Sequence, residues 1–142
     1  MNFKILWSKA VTNGKTTVFN WYQYGDDYPG NKLPSLGMKY MNDIIDVVPN
    51  LSVITKIELL GFNAADEHYK TLSNFISDST VLDLTNNVVE ASIEIRKKYK
   101  TKLPNAIIAA TALVYNLVLI SRNIPDFKNI NGLKVINPHN LW

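Results

Sequence analysis

The chain has no cysteine, two histidines and six glycines in 142 residues. The missing thiol excludes a disulfide framework, a zinc–thiolate site and a thiol nucleophile. Small extracellular domains commonly rely on disulfide staples, so a reduced, cytoplasmic setting is expected. The glycines form no phosphate-cradling loop, and His68 and His139 sit in polar stretches that read as solvent-facing. Nucleotide hydrolysis and acyl transfer by common motifs therefore find no support. No run of about 20 apolar residues occurs, and the opening MNFKILWSKAV lacks the unbroken apolar stretch of a signal peptide, so no membrane attachment is expected.

The hydrophobic content is 46%, enough for one well-filled core in a chain too short for two ordinary domains. A single domain over residues 1–142 is the expectation. A formal charge of +3 and a sequence pI near 9.0 favour contact with phosphate without specifying it.

Residues 51–55 (LSVIT) form a short apolar, partly β-branched run that suits a buried strand, after which Thr55 could cap a helix that Gly61 would end. Residues 65–79 place Tyr69, Leu72, Phe75 and Ile76 on one stripe of an amphipathic helix. Residues 81–84 are a candidate strand. Thr85 then caps a helix with a basic end, Arg96-Lys97-Lys98-Tyr99-Lys100, which suits the negative helix pole.

Pro104 fits the first turn of the next helix, over residues 105–116. Its alanines at 106, 109, 110 and 112 predict burial and close approach to a neighbour. Residues 117–121 and 133–136 complete the strands. Strands separated by helices predict an α/β fold with a mainly parallel central sheet covered by helices on both faces.

The opening is less regular. Residues 3–6 could form a first strand, and Asn13-Gly14-Lys15 reads as a turn into an aromatic, β-prone piece. The segment 13–31 reads as a divergent or inserted loop, and residues 38–48 resume a helical rhythm. Trp7, Trp21, Tyr22 and Tyr24 read as cover for core or subunit surface rather than as base-stacking groups. The lysines and arginine at 96–102 could grip phosphate, but a solvated helix end is the plainer reading.

Chemistry is left to polar groups at strand ends: Glu58 beyond LSVIT, Asn105 at the start of the alanine-rich helix, and Asn123 with Asp126 beyond residues 117–121. Ligands bind at the carboxyl ends of strands in open α/β sheets, and acidic groups meeting there could hold a hard cation.

Four strings then carry a resemblance. SVITKIELLGF at 52–62 resembles the segment that supplies the second acidic residue in PIN domains of the VapC toxin type. KLPNAIIAATA at 102–112 resembles their LPDAIIAATA helix start. LISRNIPDF at 119–127 resembles their TRNxxDF strand end, and GLKVINP at 132–138 matches the closing segment. The resemblance implies a three-layer sandwich and a carboxylate cluster binding magnesium or manganese, with water attacking an RNA phosphodiester. It also implies an antitoxin partner and a homodimer.

On that resemblance Glu58 and Asp126 are the metal ligands and, with Asn105 and Asn123, the catalytic set. Asn105 stands where the family has the aspartate of LPDA. The family's opening motif, LLDTN, has its nearest counterpart at residues 5–9, which puts Trp7 at the aspartate and Lys9 at the asparagine; no Asp precedes Asp26. Asp26 and Asp27 lie in a Gly/Pro-rich stretch and read as turn formers. Magnesium sheds water reluctantly and relies on anionic oxygen, so two lost carboxylates predict an impaired endoribonuclease. The alternative is a catalytically inactive PIN scaffold that binds an antitoxin or self-associates, and a third reading makes the opening an altered or misread version of the family's start.

Overall fold

The computed structural model describes residues 5–7, 11–12, 15–16, 50–61, 66–121 and 124–137. Helix 38–48 and most of the loop 13–31 lie outside the described residues, as do Asn123 and His139.

A parallel sheet of five strands organises the fold: β1 (Ile5–Trp7), β4 (Asn50–Ser52), β5 (Thr80–Leu82), β6 (Val118–Ile120) and β7 (Val135–Ile136). Their spatial order is β5-β4-β1-β6-β7. The opening strand is therefore central, with Trp7 level with Leu51 on one side and Ile120 on the other. Strands β2 (Val11–Thr12) and β3 (Lys15–Thr16) form a separate antiparallel pair; the turn expected at Asn13-Gly14 lies outside the described residues.

Among the described residues five helices accompany the sheet: α1 (Val53–Leu60), α2 (Asp66–Ser77), α3 (Asn86–Lys98), α4 (Leu103–Val114) and α5 (Ile124–Phe127). The path from β4 to β5 runs outward in one direction, and the path from β5 to β6 and β7 runs in the other. Right-handed crossovers then put α1–α2 and α3–α5 on opposite faces, which makes three layers.

The local chemistry explains most helix ends. Thr85 caps α3 as expected, its hydroxyl accepting from the Val88 N–H at 3.3 Å. The expected cap at Thr55 is corrected: Ser52 caps α1, accepting from Ile54 N–H at 3.2 Å, and Thr55 is buried inside the helix. Only three residues around LSVIT are strand because the Ser52 cap turns the chain immediately into α1. Gly61 does end this helix, but at φ −89° rather than in the left-handed region; a Cβ there would lie 2.5 Å from the Ile57 carbonyl oxygen.

Helix α4 is the centre of the core. Every residue from Ala106 to Ala112 is buried, the polar Thr111 included, and the Thr111 hydroxyl is satisfied by the Ile107 carbonyl at 2.7 Å. The alanines let α3 lie alongside it, with Val88 and Ile95 in the same cluster as Leu119, Phe127 and Ile130. At the far end Asn116 adopts φ +54°, Leu117 N–H bonds the Ala112 carbonyl at 2.7 Å and Asn116 N–H that of Leu113 at 3.3 Å. This left-handed cap stops the helix and feeds β6 directly.

Candidate functional site

The parallel strands set the edge at which side chains can meet. Helix α1 leaves the carboxyl end of β4, and α5 follows the carboxyl end of β6. Helix α4 leads into the amino end of β6, so its own first turn lies at the opposite, carboxyl edge. That edge is where open α/β sheets take ligands.

The structure brings two of the four candidate residues together. Asn105, half-buried in the first turn of α4, donates its Nδ2–H to the exposed Asp126 Oδ2 at 3.0 Å. The amide orientation follows from electrostatics, because its oxygen would repel the carboxylate that its N–H groups attract. Glu58, half-buried on α1, starts from the same edge but is not among the residues lining the groove at this pair.

The groove encloses about 390 Å³. One wall is the α3–α4 connection from Lys98 to Lys102, and the other is formed by Pro125, Asp126, Asn129 and Ile130. Tyr99 ties the walls together: it ends α3 through its N–H to the Ile95 carbonyl at 2.8 Å, and its hydroxyl accepts from Asn131 N–H at 3.0 Å.

The basic run divides in two. Lys97 pairs with Glu94 at 3.6 Å on the exposed face, in keeping with a solvated helix end. Lys98, Lys100 and Lys102 instead line the groove. The linear sequence shows the run but not this division, which depends on the Tyr99–Asn131 bond.

A magnesium ion needs several oxygen ligands, anionic ones above all. Among the described residues lining the groove the acidic donor set is Asp126 alone, and an amide N–H engages one of its oxygens. Among the described residues no group of three or more His, Asp and Glu side chains could hold a metal. These residues do not fit a resident magnesium.

Among the described residues no helix is long and apolar enough to cross a membrane. A PIN-domain family model matches residues 44–133, a span that begins beyond the divergent opening. The chain is similar to a chain of a toxin–antitoxin complex from Klebsiella pneumoniae, at 30% identity over 70% of this chain and 84% of that one, with TM-score 0.58. It also resembles a chain of DNA-bound VapBC from Salmonella typhimurium, at 20% identity, 96% and 99% coverage and TM-score 0.72. FitAcB from Neisseria gonorrhoeae gives 19% identity, 96% and 99% coverage and TM-score 0.66. The last two likenesses carry the fold alone. No curated protein matches the chain.

Proposed function

Because this chain belongs to the PIN-domain family and is of the VapC type, we propose that it is the toxin component of a toxin–antitoxin pair, impaired in metal-dependent RNA hydrolysis by loss of acidic ligands. The observation that carries the impairment is the Asn105–Asp126 hydrogen bond at 3.0 Å. A carboxylate at Asn105 would face Asp126 with a second negative charge, a repulsion that a divalent cation relieves. The amide removes that charge and fills the lone pair a cation would use.

Asp126 remains as the acidic residue of the groove and Glu58 as an acid on the helix that starts from the same edge, with Asn105 and Asn123 as neutral groups that position water or substrate. Magnesium or manganese binding is accordingly weak or absent. An antitoxin partner is supported by the relatives, since the Klebsiella pneumoniae chain is part of a toxin–antitoxin complex. A homodimer and a cytoplasmic setting complete the proposal. The test is RNA cleavage by pure protein with magnesium or manganese, beside Asn105→Asp. Weak cleavage by the native chain and a gain of about tenfold or more in the variant are expected from restoring one charged ligand. Robust native cleavage would refute the impairment.

A second reading, a non-catalytic scaffold that captures an antitoxin, is favoured by the same neutralised cleft. A disordered antitoxin segment would bury apolar side chains against it. Complex formation unchanged by Glu58→Gln would point to recognition by shape; loss of the complex would make cleft charge the determinant.

A further inference from the structure

We propose that the groove between the α3–α4 connection and α5 is a metal-independent anchoring site for the phosphodiester backbone of single-stranded RNA, held by Lys98, Lys100 and Lys102. The proposal names the substrate-holding half of the cleft and rests on reading the chain as an RNA-directed PIN domain.

Among the described residues three ammonium groups line this groove against one carboxylate, that of Asp126, which Asn105 already engages. Among the described residues none of the three lysines has an acidic partner within ion-pair distance, whereas neighbouring Lys97 does. Like charges gathered without counter-charges repel one another, and a bound polyanion relieves that cost. The helix dipoles do not decide the field here. The negative end of α3 and the positive end of α4 border the same groove and offset each other, so the lysines set its sign.

The remaining lining favours a nucleotide chain over a free phosphate ion. Tyr99 offers an aromatic ring, held in place by its bond to Asn131, with the Lys98 ammonium 5.7 Å from its centroid. An aromatic platform beside a cationic track is the general arrangement for single strands. Asn105 and Asn129 add amide groups that can serve phosphate or base oxygens.

The experiment measures binding of a labelled oligouridylate to the full chain in EDTA as salt is raised. Each single-strand phosphate contact adds about 0.7 to the slope of log K against log salt, so three contacts give a slope of about −2 and a roughly twentyfold loss for a fourfold rise in salt. The joint variant Lys98→Gln, Lys100→Gln, Lys102→Gln should flatten the slope by about 2, and Lys100→Gln alone by about 0.7 should the joint variant fail to fold. Asp126→Asn should tighten binding, the reverse of what a metal-held substrate would show. Binding that requires magnesium, a joint variant that binds like the native chain, or displacement by inorganic phosphate as effective as by unlabelled RNA would overturn the proposal. Metal-free binding without cleavage would support it while the nuclease reading failed; cleavage with no lysine dependence would do the opposite.

Discussion

Strand β1 and its neighbours β4 and β6 share a sheet but not a history of chemical constraint. Both neighbours lead into strings that resemble VapC-type PIN domains, through α1 to Glu58 on one side and towards Asp126 on the other. β1 lies between them in regular parallel register and ends on Trp7, where the resemblance calls for an aspartate. A central strand needs only paired backbone groups and β-compatible side chains, whereas a metal centre needs one particular residue type at the strand's end. The fold therefore tolerates substitutions that the chemistry does not.

The comparison can be strained from the fold side first. Phe127 is 1% exposed and packs with α4, so Phe127→Ala should cost about 3–5 kcal/mol in a denaturant melt. A cost under 1 kcal/mol would mean that the edge carrying Asp126 is not anchored by the core. Gly132 holds φ +83° in the segment leading to β7, and Gly132→Ala should cost about 1–3 kcal/mol through backbone strain, although a Cβ would meet only Leu113 Cδ2 at ordinary contact distance. Removing the α3 cap by Thr85→Ala should cost about 1 kcal/mol, and a null result would place the start of α3 under tertiary control.

On the chemical side, Trp7→Asp added to Asn105→Asp should raise manganese affinity about tenfold beyond the single change if β1 ends at the metal edge. No gain would show that the missing acid belongs elsewhere in the opening. The gene itself sharpens this point. Codons for Phe19 to Tyr24, read one base downstream, permit Leu-Ile-Gly-Thr-Asn, and Leu-Ile-Asp-Thr-Asn where Trp21 is encoded by TGA. Sequencing the gene distinguishes a substituted strand end at Trp7 from a displaced reading frame that moves the lost acid to Trp21.

Much of the fold was legible because its signals are local. Thr85 and Pro104 mark two helix starts, and the alanines of α4 announce burial. The start of α1 was misplaced because β-branched Val53, Ile54 and Thr55 read as strand, and only the Ser52 cap reveals the turn into helix. Of the site, Asn105 and Asp126 were named as polar groups at strand ends, and the resemblance gave them their roles. Their hydrogen bond joins residues far apart in sequence, which spacing alone does not disclose. The lysine groove was read as a solvated helix end because the contact that makes it a groove, Tyr99 to Asn131, is longer-ranged still.

The most direct test of the central claim, that the PIN fold is kept while Asn105 disarms its metal edge, is calorimetric titration of the native chain and Asn105→Asp with manganese and magnesium. The account predicts little or no heat from the native protein and saturable binding by the variant, with affinity up about tenfold or more. Tight binding by the native chain, left unchanged by Asn105→Asp, would contradict it.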